Sequence, residues 1–241
     1  MNIVFGLCGQ GSRFTRVGYT IPKYLIPYHG APMIYHSVET LSLPGKIYFV
    51  VLVEHLQQYK FLEKLLLSIG HEIVPCYHHT QGAAETLLIA KNYIKDLDQP
   101  FVSANCDQYL SWTSSNFLKE LKNNPDTSYI VTYKETSKKC SYIKKDHNNF
   151  VIEVREKQVI SNDATVGIYH WAKSRDFFQD AEAMISGEIK EAGEYFVAPV
   201  YNWSINRGLQ IKNFSLNEQE FWPVGTPEDL NYFMKHNRNL L

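Results

Sequence analysis

Gly9, Gly11 and Arg13 come soon after an apolar run, Asn2-Ile3-Val4-Phe5, and Pro22-Lys23 begins nine residues after the arginine. Glycine backbone can approach a phosphate or a base edge closely and present its N–H groups, while Arg13 and Lys23 would add fixed positive charge. Holding a nucleotide is the chemistry that suits these residue types. Two familiar nucleotide motifs do not account for the loop. The dinucleotide fingerprint G-x-G-x-x-G needs a third glycine where Phe14 stands, which speaks against hydride transfer. The phosphate loop G-x-x-x-x-G-K-[ST] needs a lysine where Ser12 stands, so no kinase or GTPase loop is present.

The elements that must carry this loop follow from hydrophobic periodicity. Apolar runs of strand length at 2–7, 47–53, 73–74 and 101–104 alternate with helix-period stretches. In these, Ile34, Val38 and Leu41, then Tyr59, Leu62, Leu66 and Ile69, then Leu87, Ala90, Ile94 and Leu97 recur at three or four residues. Continuous rather than alternating apolar runs suit strands covered on both faces. The pattern predicts an α/β fold, a Rossmann-like open mixed sheet, mainly parallel and flanked by helices. Beyond about residue 125, strands are expected at 129–133, 142–145, 150–154 and 164–171, with Asp146-His147-Asn148-Asn149 as a turn. Helices are expected at 174–185 and 195–206, then a strand near 209–214 and a last helix opening at Pro227-Glu228-Asp229. We read the chain as one domain, residues 1–241, with a nucleotide-binding half to about 125 and an acceptor-binding half from about 126. In an open α/β sheet, ligands sit beyond the carboxyl ends of the strands, which is where the 9–23 loop must lie.

The 241 residues, 44% hydrophobic and 20% charged, can bury a sizeable core. Balanced charge, 24 basic against 25 acidic residues, gives no global field for nucleic acid or an anionic membrane. Apolar runs such as 47–53 fall far short of the roughly 20 residues that a membrane span needs. Cys8, Cys76, Cys106 and Cys140 form no C-x-x-C pair and no signal peptide opens the chain, so reduced thiols and a cytoplasmic location are expected. His78-His79 and the other histidines show no metal spacing, and a homo-oligomer is left open.

Taken together, Gly9-x-Gly11-x-Arg13-Phe14 followed by Pro22-Lys23 resembles the signature loop of the nucleotidyltransferases that make nucleotide sugars and related activated alcohols. Four further segments fall in that family's order and extend the resemblance over about residues 1–235. TQGAAETLLIA at 80–90 resembles the base-reading segment, and VSANCDQ at 102–108 resembles a strand ending in a metal-binding aspartate. EVREKQVISNDATVGIYHW at 153–171 resembles the Glu-Lys acceptor segment with its following strand, and FWPVGTPEDL at 221–230 resembles the Gly-Thr motif before the final helix.

The resemblance implies a single-domain fold of the nucleotide-diphospho-sugar transferase type and a specific reaction. A phosphorylated acceptor, a sugar phosphate or an unusual phosphorylated metabolite, attacks the α-phosphate of a nucleoside triphosphate, CTP or UTP/dTTP, and pyrophosphate leaves. Arg13 and Lys23 would be catalytic and bind the triphosphate, with Leu7, Gly9, Gly11, Ser12, Gln81, Gly82 and Asn105 completing the nucleotide site. Glu156, Lys157 and Tyr169 would bind the acceptor, and Asp107 would hold the cofactor, Mg2+. The wording of GSRFTRVGYTIPK, ATVGIYHW and GTPEDL is most similar to small stand-alone enzymes of bacterial capsule and surface-polysaccharide pathways.

Two positions depart from the family pattern. Many members carry a second metal-binding aspartate two residues before the late Gly225, where this chain has Pro223, so one carboxylate suffices, Glu218, Glu220 or Asp229 compensates, or activity is lost. Ile143 follows Tyr142 where sugar-specific members commonly place glycine, which points away from an ordinary hexose phosphate. Two other readings remain in view. A glycosyltransferase of related sheet architecture would typically show D-x-D where this chain has Asn105-Cys106-Asp107, and a non-catalytic nucleotide-binding protein would explain Pro223.

Overall fold

The computed structural model describes residues 1–237. The first half runs β1 (Asn2–Gly6), α1 (Ser12–Thr15), a short pair β2 (Pro27–Tyr28) and β3 (Ala31–Pro32), α2 (Met33–Leu41), β4 (Lys46–Leu52), α3 (Val53–Gln58), α4 (Leu62–Ile69), β5 (Glu72–Cys76), α5 (Ala83–Leu88) and β6 (Phe101–Ala104). Next come β7 (Gln108–Leu110), α6 (Ser114–Asn123), β8 (Ser128–Lys134), β9 (Ser141–Lys145), β10 (Val151–Glu156) and β11 (Asp163–Trp171). The chain then forms α7 (Ser174–Ser186), α8 (Tyr201–Asn206), β12 (Ile211–Ser215), β13 (Phe221–Pro223) and α9 (Pro227–His236).

Nine strands build one sheet in the order β10-β9-β11-β6-β1-β4-β5, with β8 paired to both β11 and β12. β6, β1, β4 and β5 are parallel, and their largely apolar runs suit strands covered on both faces. β11 runs antiparallel to β6, β8 and β9, so the sheet becomes mixed just where the sequence pattern changes. Alternation along β1 shows why it is central. Val4 joins a core under α5, α7 and α8, whereas Ile3 and Phe5 join the opposite core under α2, α4 and α6, and all three are fully buried. Phe101 stacks on Phe177 at 4.3 Å, which ties β6 to α7. No helix among the described residues is long and apolar enough to cross a membrane.

Four expectations shift in detail. Val53 opens α3 instead of ending a strand, and Tyr59 falls in the break before α4, so one periodic face is carried by two short helices. Leu97 lies beyond a 3-10 turn, Ile89–Asn92, that closes α5 early. The helix expected from 195 begins only with a 3-10 turn at Ala198–Val200. Tyr195 backbone is engaged elsewhere: its N–H donates to Gln81 O at 3.0 Å and its carbonyl accepts from Ala84 N at 2.9 Å. α6 and the antiparallel pair β7–β13 had no expectation attached to them.

Candidate active site

A cleft of about 630 Å³ opens beyond the carboxyl ends of β1 and β6. From the signature loop it is lined by Gly9, Gly11, Ser12, Arg13 and Lys23; from the α5 segment by Gln81 and Gly82; after β6 by Asn105 and Asp107; and from the second half of the chain by Lys157. Three other sequence-predicted residues stand behind the wall. Leu7 is 1% exposed, packs in the core and commits its N–H to Val50 O at 2.8 Å. Tyr169 is buried with its hydroxyl on Thr165 Oγ1 at 2.9 Å, and Glu156 is buried against the Ser141 hydroxyl. Burial pushes the Glu156 carboxyl above its ordinary value, with Ser141 and Lys157 pulling the other way.

Backbone geometry shapes the signature loop. Gly11 sits at φ 59° and caps α1, and a Cβ there would come within 3.0 Å of Lys23 Cβ. One residue past Arg13, Phe14 is buried in a small core with Ile26, Met33, Val224, Leu230 and Phe233. This apolar anchor joins the loop to the segment before α9. Pro22, extended at ψ 139°, launches the 3-10 turn Lys23–Leu25.

Lys23 Nζ meets Asp107 Oδ2 at 2.7 Å. Burial works against the lysine's charge, but the Asp107 carboxylate overcomes it and leaves Lys23 pushed up to about 12. Burial likewise disfavours the Asp107 anion, yet Lys23 holds its carboxyl below the ordinary value. Asp107 is fixed from the far end of the chain: its carbonyl accepts from Val224 N at 3.0 Å, and a Cβ on Gly225 would come within 2.5 Å of Oδ2. The unforeseen β7–β13 pair thus brings the late Gly-Thr motif onto the aspartate. Cys8 and Cys106 also line the cleft, and burial raises both thiols, so neither is a ready thiolate.

Gly82 lies at φ 152°, and a Cβ there would come within 2.4 Å of Tyr195 O. Asn105 fits against Gly167, at φ 84°, whose missing side chain leaves space for the Asn105 amide where β11 shifts register against β8. On the acceptor side Lys157 has φ 55°, an uncommon setting for a side-chain-bearing residue. Its Nζ lies 4.6 Å from the centre of the Phe196 ring.

Sequence reasoning missed part of this wall. Lys190, Gly193, Glu194 and Phe196 come from the α7–α8 connection, and His79, Thr80 and Thr86 from the base-reading side. His79 Nε2 lies 3.3 Å from Glu54 Oε1, and Lys190 Nζ donates to Gln81 Oε1 at 2.6 Å. The available signal was the charged, glycine-punctuated stretch GEIKEAGEY at 187–195, which the helix assigned from 195 obscured.

The nucleotidyl transferase family model matches residues 4–233. The chain belongs to this family. It is 24% identical over 237 residues to the mannose-1-phosphate guanylyltransferase catalytic subunit beta of Danio rerio, covering 94% of this chain and 56% of that protein. It is 26% identical over 251 residues to the bifunctional protein GlmU of Methanocaldococcus jannaschii, covering 95% and 52%. The chain therefore spans about half the length of the curated relatives it matches. A nucleoside-diphosphate-sugar pyrophosphorylase from Vibrio cholerae RC9 superposes with TM-score 0.81 at 25% identity, covering 98% of this chain and 100% of that one. An inositol-1-phosphate CTP transferase from T. maritima shares the fold, with TM-score 0.76 at 13% identity over 100% and 97% of the two chains.

In this nucleotidyl transferase, Pro223 is exposed at the end of β13, opposite Gln108 of β7. The residues considered as compensation for it do not reach the cleft wall. Glu220 accepts from Asn217 N and Nδ2 in a tight turn, Asp229 N–H is bound by the Thr226 cap of α9, and Glu218 is exposed nearby. Asp107 and Glu194 are the carboxylates that line the cleft among the described residues. Ile143 is fully buried in the core.

Proposed function

We propose that the protein transfers a nucleoside monophosphate from a nucleoside triphosphate, CTP or UTP/dTTP, to a phosphorylated small molecule and releases pyrophosphate. One observation carries this reading: Arg13, Lys23 and Asp107 share a single cleft with Lys157, although the two groups come from opposite halves of the chain. The acceptor phosphate is already an anion, so no nucleophilic side chain is required. Its oxygen attacks the α-phosphorus, the bond from the α-phosphorus to the bridging oxygen breaks, and pyrophosphate leaves with the electron pair. Arg13 and Lys23 face the charge that grows on the leaving group, which is where fixed cations accelerate such a step. Lys157 holds the acceptor phosphate and so turns the meeting of two anions into a positioned pair.

Asp107 is the residue that would hold magnesium, and the donor set fits. An ionised carboxylate on the wall is a hard oxygen ligand, and magnesium ordinarily completes its shell with waters and substrate phosphates. When bound, the ion would neutralise phosphate oxygens. The relatives' activity on sugar phosphates supports these as one acceptor class. A cytoplasmic role in capsule or surface-polysaccharide assembly belongs to the same proposal, and the four free cysteines suit a reducing compartment. The test is pyrophosphate release by the purified chain across the four common triphosphates and a broad set of phosphorylated acceptors, with reverse exchange of labelled pyrophosphate. Transfer predicts signal in both directions, and silence in both would leave a non-catalytic nucleotide-binding protein.

A further inference from the structure

Lys157 leaves the end of β10 at φ 55°, and a side-chain-bearing residue keeps such a setting only where its surroundings hold it there. Its own N–H donates to Cys140 O at 3.0 Å, beside β9. The residue before it faces the other way. β10 lies at the edge of the sheet, so its outward backbone groups meet no further strand. Side chains take that place. Asn202 Oδ1 accepts from Val154 N at 3.0 Å while its Nδ2 donates to Val154 O at 2.9 Å, and Glu191 Oε2 accepts from Glu156 N at 2.6 Å. A carboxylate on a backbone N–H is the stronger kind of hydrogen bond, and this one sits one residue before the lysine.

Glu191 is itself held. Its Oε1 lies 3.7 Å from Arg155 Nη1. Its backbone closes a tight turn with Glu194, donating to Glu194 O at 3.2 Å and accepting from Glu194 N at 3.1 Å. Lys190 and Tyr195, on either side of that turn, both bond to Gln81 of the nucleotide end. Glu191 lines a groove of about 440 Å³ with Arg155 and Ile152, apart from the cleft. Its carboxylate thus touches the backbone that carries Lys157 and not the space where substrate would lie.

We propose that Glu191 is a positioning residue for Lys157: its carboxylate fixes where β10 ends, and so fixes where the lysine enters the cleft. The inference rests on the transfer reading above, in which Lys157 holds the acceptor phosphate. Without the carboxylate, the Glu156 N–H is left to water, the strand end loosens and the ammonium spends less time facing the phosphate.

Kinetics and amide exchange on the full chain test it. Pyrophosphate release is measured with magnesium across the triphosphates and phosphorylated acceptors of the transfer assay, glucose 1-phosphate and mannose 1-phosphate among them, and the fastest pair is carried to the variants. Glu191→Ala is expected to raise acceptor KM about tenfold, the worth of one charge-assisted hydrogen bond, with nucleotide KM within about twofold. Glu191→Gln keeps an oxygen acceptor and is expected to restore most of that loss. In a Lys157→Ala background Glu191→Ala should add nothing to acceptor KM, because the residue it positions is gone. Asn202→Ala frees the neighbouring stretch of the same strand edge and is expected to lower Tm while acceptor KM stays within about twofold. Amide hydrogen exchange at Glu156 and Lys157, read without substrate, should quicken about tenfold or more in Glu191→Ala and little in Glu191→Gln. An unchanged acceptor KM in folded Glu191→Ala, full additivity with Lys157→Ala, or an equal rise in Asn202→Ala overturns the inference while the transfer reading stands. No release by the native chain with any pair overturns the transfer reading and the role that rests on it. Exchange that does not quicken in Glu191→Ala overturns the inference whether or not the chain turns over.

Discussion

The two ends of the cleft are built by different means. At the nucleotide end the backbone does the positioning: Gly11 at φ 59°, Gly82 at φ 152°, Pro22 before Lys23, and Gly225 packed on Asp107. At the acceptor end, side chains are carried on connecting loops, Lys157 at φ 55° after β10 and the Ala192-Gly193 turn, at φ 47° and 87°, between α7 and α8. Backbone that only glycine or proline accommodates comfortably leaves letters in a sequence. Loop-borne side chains leave few, so the end that chooses the acceptor is the harder one to read.

Removing charge separates the two ends most sharply. Arg13→Ala and Lys23→Ala are each expected to cut kcat by roughly 100-fold or more with the fold intact, because that charge acts as pyrophosphate departs. Lys157→Ala is expected to act mainly through acceptor KM. Steady-state kinetics on folded variants checks this, and a Lys23→Ala enzyme with wild-type kcat would end the assignment of the loop.

Asp107→Asn is expected to cost about tenfold to 100-fold in kcat and to move the alkaline limb of the pH profile. In the native protein the carboxylate holds Lys23 up to about 12 against burial, so its charge survives any ordinary assay pH. Without that anion, burial prevails and the lysine loses its proton at lower pH. The pair's contribution to stability is fully present below Lys23's ordinary value of 10.5 and is lost as pH rises through about 12. At the acid end it is present above the ordinary 3.8 of Asp107 and is lost as pH falls through the depressed folded value. An alkaline limb that does not move in Asp107→Asn would show that the aspartate does not govern Lys23.

The sequence carried the sheet and the nucleotide end. Continuous apolar runs marked the parallel strands, and ten of the thirteen site residues it named line the cleft. Leu7, Glu156 and Tyr169 fall behind the wall because spacing cannot tell which face of a buried strand or strand end looks outward. Glu194 and Phe196 were missed because their exposure depends on Tyr195 bonding to Gln81 and Ala84, more than a hundred residues earlier in the chain. The β7–β13 pair was missed for a similar reason: strands of three residues show no period, and their pairing joins Gln108 to Pro223.

Those Tyr195 bonds link the two ends and give a smaller, mixed effect. Gly82→Ala sets a Cβ 2.4 Å from Tyr195 O at a φ that side chains rarely adopt. A loss of about 1–3 kcal/mol is expected, a drop of several degrees in Tm for a chain of this size. Because Tyr195 lies between Glu194 and Phe196, acceptor KM should rise severalfold along with nucleotide KM. A change in nucleotide KM alone would show that the two ends work independently.

Pro223→Asp is expected to have the smallest effect and bears on how the metal is held. Pro223 is exposed at the end of a three-residue strand, where a proline without an N–H costs no ladder bond in the sheet interior. Replacing it frees one φ and alters stability by at most about 1 kcal/mol. The new carboxylate would stand two residues before Gly225, which packs on Asp107. With Asp107 as the lone carboxylate near the phosphates, magnesium should be retained weakly and activity should need it at about millimolar order, a shell completed by water and substrate. A second carboxylate should lower the magnesium needed for half-maximal rate by a few-fold while leaving kcat within about twofold, since the ligand count changes and the cationic loop does not. Mn2+ binding followed by electron paramagnetic resonance without nucleotide gives a reading independent of turnover. If Pro223→Asp binds Mn2+ no better than the native chain and shows the same magnesium dependence, position 223 does not face the metal.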